Sequence, residues 1–224
     1  MTEEDEISFY RKTYRKLFEV HLSLMLRRFE EGVAKTYADI LASNDVRWIG
    51  RRLNPMDQFR ELIAHERDVL RRFLSGETGK LLDVGAGYGR LLPVYLEIGF
   101  DVTAVEKDPA ARAILIEKGV KAYDADAAHL PFSDGEFDVL VMILVIHEVP
   151  QEERFRVLSE CCRVLKEGGI AIIGEHRAEG FDPDWLLTAL PEVGLEIEEI
   201  ERREWRFAYR SRERVLMKCR KTPG

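Results

Sequence analysis

The sequence predicts an α/β protein built on a doubly wound, mostly parallel sheet, and three observations support this prediction. Five short apolar runs alternate with helical patterns over residues 80–175. Two further strand-like runs, joined by a short turn, follow within residues 195–224. The first 54 residues contain no proline and have the apolar spacing of helices. Strands that alternate with helices form a parallel sheet covered on both faces, so we expect seven strands after a helical N-terminal extension.

The predicted extension covers residues 1–78, and the predicted sheet domain covers residues 79–224. One face of the first helix carries apolar and aromatic residues at steps of three and four. The residues of this face are Ile7, Tyr10, Tyr14, Leu17, His21 and Leu24. A second helix is expected over residues 31–43. Asn54 and Pro55 suit the cap and the first turn of a third helix, which should end near Leu74.

The sheet domain is predicted from its apolar runs. The expected parallel strands are residues 80–85, 101–106, 122–126, 137–145 and 169–175. The helical patterns between them cover residues 89–98, 109–118 and 151–166. Residues 195–207 and 212–220 are strand-like runs separated by only four residues, which predicts an antiparallel hairpin at the end of the sheet.

Composition limits the classes of function. The chain has 224 residues and a net charge of −7, with no run of 18 apolar residues, so we expect no membrane span. The acidic N-terminus lacks an apolar segment, so we expect no signal peptide. The three cysteines have no metal-ligand spacing, which suggests reduced thiols and a cytoplasmic location. The five histidines are scattered, so no metal site is expected. The acidic balance argues against a broad nucleic-acid surface, although residues 195–224 carry nine basic and six acidic side chains.

The stretch LLDVGAGYGRLL places Gly85, Gly87 and Gly89 between a predicted strand and a predicted helix. A glycine-rich turn in this position exposes backbone N–H groups and lets a ligand approach closely. Glu106 ends the next strand, 21 residues beyond Gly85, where an acid can accept both hydroxyls of a ribose. These features predict a nucleoside-containing ligand on a Rossmann-like sheet.

Two departures distinguish this loop from a dinucleotide-binding loop. The pattern G-x-G-x-x-G requires a glycine where this chain has Arg90. Asp83, two residues before the first glycine, would repel a pyrophosphate but attract a cationic ligand. S-adenosylmethionine has a ribose, an ammonium and a sulfonium, so it suits these acids better than a nicotinamide dinucleotide does.

The segment LLDVGAGYGR resembles motif I of the class I S-adenosylmethionine-dependent methyltransferases. Three later segments resemble the type 11 branch of that family, in the family's order: VTAVEKDP, DADAAHLPFSDGEFDVLV and CRVLKEGGIAII. In the last of these, Glu167 replaces the family's proline. The resemblance covers residues 80–175 and implies the same Rossmann-like fold with its antiparallel end, S-adenosylmethionine as cofactor and methyl transfer as the activity.

The resemblance also implies which residues hold the cofactor. Asp83 would face the methionine ammonium, Glu106 the ribose and Asp126 the adenine amino group, for which Asp124 competes. A helix-surface role would explain Arg90 equally well. The complete set implied by the resemblance is Asp83, Gly85, Ala86, Gly87, Tyr88, Gly89, Arg90, Glu106, Lys107, Asp126, Ala127 and Ile143.

The acceptor is expected at the carboxyl ends of the strands, beside the cofactor. His147 is the candidate general base, because imidazole titrates near neutral pH and this residue follows the fourth strand. A purely structural histidine is the alternative, as is a solvated loop over residues 175–177. The residues predicted to line the pocket are Tyr88, His147, Glu148, Glu175 and His176.

Three functions stay open at this point. The first is methyl transfer to a small-molecule acceptor by in-line displacement, with the N-terminal helices as a lid, as packing for the sheet domain or as a homodimer contact. The second is a non-catalytic S-adenosylmethionine-binding subunit that activates a partner. The third is an RNA methyltransferase that uses the arginines of the C-terminal hairpin, which are interleaved with acids: Arg202, Arg203, Arg206, Arg210, Arg212 and Arg214.

Overall fold

The computed structural model describes residues 55–178, 180–207 and 210–223. Within these ranges, residues 55–62, 205–207 and 210–212 are described by their backbone alone. The predictions for residues 1–54, which are the first two helices, the lid and the homodimer contact, lie outside the described residues. The side chains of Arg206, Arg210 and Arg212 lie outside them too.

One seven-stranded sheet organises the described chain. Its strands are β1 (Lys80–Val84), β2 (Asp101–Val105), β3 (Lys121–Tyr123), β4 (Phe137–Ile143), β5 (Leu165–His176), β6 (Leu195–Phe207) and β7 (Arg210–Lys221). They lie in the order β3-β2-β1-β4-β5-β7-β6. Strands β1 to β5 are parallel, and β7 lies antiparallel between β5 and β6. The chain leaves β1 on one side and returns to pair β4 with its other side, so ligands are expected at the carboxyl ends of β1 and β4.

Helices cover both faces of this sheet. Within the described residues they are α1 (Pro55–Phe73), α2 (Leu92–Ile98), α3 (Pro109–Glu117), α4 (Arg154–Val164) and α5 (Leu186–Glu192), with 3₁₀ turns at Ile146–Glu148, Gln151–Glu153 and Pro183–Trp185. Local sequence explains their starts and stops. Asp108 caps α3 by accepting a hydrogen bond from the N–H of Ala110, and Pro109 occupies the first turn. Gly99 ends α2 in the left-handed conformation.

The strands divide the core between the two faces. Leu82, Leu140 and Ile173 pack with α4 and α5 on one face, while Leu81, Val141 and Leu70 of α1 pack on the other. Alternate residues of a strand point to opposite faces, and both faces are covered here. Residues 139–143 of β4 are consequently all buried, as expected for a central parallel strand.

The predicted fold class is confirmed, with local differences in several elements. Strand β3 ends at Tyr123 rather than at residue 126, and helix α2 begins at Leu92 rather than at residue 89. Strand β5 begins at Leu165 rather than at residue 169. The hairpin turn is shorter than predicted, because Phe207 and Arg210 pair across it. Helix α5 was not predicted, since it has only seven residues and contains Pro191, which interrupts a helical pattern.

Helix α1 begins at the predicted Pro55 and packs against the sheet through residues such as Leu70 and Phe73. It belongs to the compact unit Pro55–Gly224, although we assigned it to the N-terminal extension. None of the helices among the described residues is long and apolar enough to cross a membrane.

Candidate active site

The loop between β1 and α2 leaves space for a ligand to approach the backbone. Gly85, Gly87 and Gly89 have φ values of 70°, 54° and 73°, a region that other residues adopt only at a cost. A Cβ atom at Gly85 would lie 2.4 Å from Cγ2 of Val145. The N–H of Gly85 donates to the carbonyl of Val105 at 2.8 Å. The loop is therefore fixed to the end of β2 and packed against the residues that follow β4.

Glu106 joins this loop to the turn that follows β2. Its Oε2 accepts a hydrogen bond from the N–H of Gly87 at 2.7 Å, and its Oε1 accepts one from the N–H of Asp108 at 2.8 Å. The hydroxyl of Tyr88 donates to Asp108 at 3.2 Å. The predicted ribose-binding acid thus lies against the glycine loop, at the carboxyl end of β2, with Tyr88 bonded to the same turn.

Asp83 is a buried acid at the end of β1, and its side chain is only 6% exposed. Burial raises the pKa of Asp83 from 3.8 to about 7, while Arg90 lowers this pKa and Glu106 raises it. A carboxyl group with such a pKa is partly protonated at neutral pH. A cation bound beside it would favour the ionised form, so Asp83 is suited to a positively charged ligand.

Two acids lie beyond β3, and they have different partners. Lys107 lies 2.8 Å from the carboxylate of Asp126, and Asp126 also accepts a hydrogen bond from the N–H of Ala128 at 2.9 Å. The hydrogen bond from Lys107 lowers the pKa of Asp126. Asp124 is instead paired with Arg112 of α3 at 3.0 Å. The contact of Asp126 with adenine stays a prediction.

The turn after β4 is strained and firmly held. Leu144, which follows the predicted cofactor contact Ile143, has a φ of 65°; among the described residues it is the one non-glycine with positive φ. Such a conformation costs about 1–3 kcal/mol and persists only where the surroundings fix it. Here the N–H groups of Val145 and Ile146 both donate to Oε1 of Glu175, at 2.9 and 2.7 Å. Glu175 therefore holds the residues that pack against Gly85.

The second oxygen of Glu175 contacts the candidate base. Oε2 lies 2.7 Å from Nδ1 of His147, whose side chain is 15% exposed, whereas Glu175 is 1% exposed. The ring of His147 lies 4.6 Å from that of His176, measured between centroids. Nε2 of His147 lies 3.9 Å from Glu148, which is exposed. The structure thus brings together four of the five predicted pocket residues, while the hydroxyl of Tyr88 bonds on the Glu106 side.

The same cluster has the composition of a metal site. One potential ligand atom from each of His147, Glu175 and His176 lies within 4.8 Å of the others. We expected no metal site from the scattered histidines, but the ends of β4 and β5 bring two of them beside a carboxylate. Within the chain, Oε1 of Glu175 accepts two backbone hydrogen bonds and Oε2 contacts Nδ1 of His147.

A buried ion pair next to the glycine loop was missed in the sequence. Glu66 of α1 and Arg214 of β7 form a salt bridge, with exposures of 0% and 5%. Nε of Arg90 lies 3.6 Å from Glu66, and Arg67 donates two hydrogen bonds to the carbonyl of Arg90. Glu66 and Arg214 are far apart in the sequence, so no local sequence pattern indicates that they form a pair. Arg214, which we had placed on a surface for RNA, is in fact buried.

Comparison with known proteins agrees with this geometry. Residues 82–173 match a family described as a methyltransferase domain. This match agrees with the resemblance of the sequence to the class I methyltransferases. Over 113 residues the chain is 34% identical to a phosphatidylethanolamine N-methyltransferase of Cereibacter sphaeroides. These aligned residues make up 47% of this chain and 54% of that protein.

Other proteins that this chain resembles differ in their activities. A tRNA (carboxymethyluridine(34)-5-O)-methyltransferase of Xenopus tropicalis is 36% identical over 94 residues, which is 41% of this chain and 14% of that protein. The solved structure of the cyclase SpnF matches with a TM-score of 0.62 and 23% identity, over 71% of this chain and 81% of that one. This likeness shows the fold alone. The chain spans about half the length, or less, of the curated relatives it matches.

Proposed function

We propose that this protein is an S-adenosylmethionine-dependent methyltransferase that transfers a methyl group to a small-molecule acceptor. The observation that carries the proposal is the pair of acids around the glycine loop. Asp83 is buried at the end of β1, and Glu106 is bonded to Gly87 from the end of β2. Both acids lie at the carboxyl ends of the strands, beside the point where β4 pairs with β1, which is where open α/β sheets bind ligands.

The residues of this crevice fit S-adenosylmethionine. Asp83 is suited to the ammonium group, and Glu106 has the position and acceptor atoms for the ribose hydroxyls. The absence of a side chain at Gly87, where a Cβ atom would enter open space, leaves room over the loop. When bound, S-adenosylmethionine supplies a methyl group on a positively charged sulfur. A dinucleotide fits less well, because its pyrophosphate would lie against Asp83.

The contribution of the chain to methyl transfer is alignment. In-line displacement requires the acceptor atom, the methyl group and the leaving sulfur to lie on one line, and positioning supplies much of the rate. The turn at Leu144 is held by Glu175 at the edge where the acceptor is expected. We propose His147 as the general base in this pocket, since its contact with Glu175 uses Nδ1 and leaves Nε2 for the acceptor.

Three arginines of the hairpin whose side chains are described have acidic partners, which favours a small molecule over RNA. Arg202 pairs with Asp184 at 2.6 Å and with Glu213 at 2.9 Å. Arg214 is buried against Glu66, and Arg220 pairs with Glu198. These described guanidinium groups already have acidic partners, whereas strong phosphate binding requires cations that neutralise phosphates instead. According to their names, the two curated relatives described above act on a lipid and on tRNA, so they do not decide between a small-molecule acceptor and RNA. The acidic partners of the arginines are the argument for a small-molecule acceptor.

The proposal is tested by supplying S-adenosylmethionine with a labelled methyl group. The acceptors are total tRNA and a panel of small molecules that carry hydroxyl, thiol or amine groups. We expect label in small-molecule products, formation of S-adenosylhomocysteine, and loss of both in Asp83→Asn. Label in tRNA alone would replace the small-molecule acceptor with RNA. No transfer by a protein that binds S-adenosylhomocysteine would favour the non-catalytic binding subunit.

A further inference from the structure

We infer that Glu175 is a positioning residue that fixes the tautomer of His147, and that the acceptor is therefore a protic nucleophile, such as a phenol, an enol or a thiol. The inference rests on the proposed function and names the substrate class of the same site. It comes from the hydrogen bonds around the buried carboxylate of Glu175, which lies outside the glycine loop.

The partners of Glu175 define what its oxygens can do. The side chain is 1% exposed, and a buried carboxylate requires partners that offset its lost hydration. Two of these partners are the N–H groups of Val145 and Ile146, which can only donate. Both bond to Oε1, which leaves Oε2 to the imidazole of His147 at 2.7 Å.

The tautomer of His147 follows from this contact. An ionised carboxylate can only accept, so Nδ1 of the ring must carry the proton, and the lone pair of a neutral ring then lies on Nε2. The titratable groups that contact the ring are Glu175, His176 and Glu148. The buried Arg214 of β7, which pairs with His176 across the sheet, interacts electrostatically with Glu175. The side chain of Glu148 is 78% exposed, so solvent screens its charge. Glu175 is thus the charge that stabilises a protonated ring.

This arrangement serves one class of acceptor. Nε2 takes the proton from the acceptor X–H while the bond from X to the methyl carbon forms and the bond from that carbon to sulfur breaks. The sulfonium becomes a neutral thioether, and the positive charge passes to the imidazolium that Glu175 stabilises. An acceptor without a proton on its reacting atom gains nothing from such a base, so the geometry points to an acceptor that must lose a proton, such as an O–H or S–H group.

Glu175→Gln tests the tautomer directly. The glutamine carbonyl must accept the N–H groups of Val145 and Ile146, so its amide NH₂ turns to His147 and donates. Nδ1 must then accept, and the ring proton moves to Nε2. Nitrogen-15 NMR of labelled histidines, with His147 assigned by the signals lost in His147→Asn, should show Nδ1–H in the wild type and Nε2–H in Glu175→Gln.

A matched control and two contrary results complete this experiment. Glu148→Gln removes the other carboxylate near the ring and should leave the tautomer at Nδ1–H. An Nε2–H tautomer in the wild type, or the same tautomer in wild type and Glu175→Gln, would overturn the inference. The wild-type spectrum decides the matter alone when Glu175→Gln does not fold, which circular dichroism reports.

The acceptor class is tested with substituted phenols and thiophenols. At neutral pH, Glu175→Gln should lower kcat by about 10²- to 10⁴-fold, the range for loss of a general base, with little change in the KM for S-adenosylmethionine. The loss should shrink at high pH and for the more acidic acceptors, which ionise without a base. An equal loss for every acceptor at every pH would show a structural role and contradict the inference.

Two further measurements separate the ways in which the inference can fail. Calorimetry with S-adenosylhomocysteine tests the proposed function, because a protein that does not bind it is no methyltransferase of this kind. Normal binding without tautomer inversion rejects the role of Glu175 alone. Titration with Co²⁺ tests the metal alternative: an absorption band that disappears in His176→Ala would show a metal centre and overturn the base.

Discussion

Asp83→Asn should make the protein more stable while it weakens cofactor binding. The pKa of Asp83 rises from 3.8 to about 7, chiefly through burial. Between these two values the folded protein keeps a proton that the unfolded chain has lost, so stability falls as the pH rises through this window. About three pKa units at 1.36 kcal/mol each amount to about 4 kcal/mol above pH 7. Asparagine avoids this cost because it carries no charge.

Urea unfolding at pH 5 and pH 8 measures this effect. At pH 8 the Asp83→Asn variant should exceed the wild type by about 2–4 kcal/mol in free energy of unfolding, and most of the difference should disappear at pH 5. Asp101→Asn, at the exposed start of β2, is the matched control and should change neither value by more than about 0.5 kcal/mol.

Binding provides the second half of this prediction. A cation beside Asp83 requires the ionised carboxylate, so the wild type should bind S-adenosylmethionine about tenfold more tightly at pH 8 than at pH 6, with proton release near neutral pH. Asp83→Asn should bind weakly and without this dependence on pH. Two results would refute the reasoning. One is a difference in unfolding free energy between Asp83→Asn and the wild type that is the same at pH 5 and pH 8. The other is an affinity of Asp83→Asn for S-adenosylmethionine that equals that of the wild type.

Three other substitutions test the site. Gly85→Ala should lower the free energy of unfolding by about 2–3 kcal/mol, because φ of Gly85 is 70° and its Cβ would lie 2.4 Å from Val145. Urea unfolding of Gly85→Ala/Val145→Ala should show part of this stability recovered. An equal loss in the single and the double variant would contradict the clash. Glu66→Ala leaves Arg214 buried without its partner and should lower unfolding free energy by about 3–5 kcal/mol; a change below about 1 kcal/mol would contradict it. Asp126→Asn should weaken S-adenosylhomocysteine binding about tenfold, as measured by calorimetry. Its melting temperature should not change, because the pair of Asp126 with Lys107 is exposed. An unchanged affinity would remove Asp126 from the adenine site.

The parts of the site that sequence could predict are those with local signals. The glycine loop and Glu106 follow directly from strand ends and spacing, because a parallel sheet places successive strand ends at one edge. The antiparallel hairpin followed from two runs with a short connection. Helix α5 was missed because it is short and contains Pro191, so its apolar pattern is weak.

The contacts that sequence could not predict join residues of different elements. His147 and Glu175 were both candidates, but only the pairing of β4 with β5 shows that one orients the other. Glu66 and Arg214 meet because α1 crosses the face of the sheet on which β7 presents Arg214. A charged residue gives no sign of its partner when that partner comes from a distant element, and the burial of both follows from packing rather than from composition.

The central claim is that the site holds S-adenosylmethionine. The most direct test is a calorimetric titration of cofactor-free protein with S-adenosylmethionine, S-adenosylhomocysteine and NADH, for the wild type and for Glu106→Ala. Micromolar binding of the first two ligands, much weaker in Glu106→Ala and absent for NADH, is the predicted result. A well-folded wild type that binds neither, or that binds NADH instead, would contradict the claim.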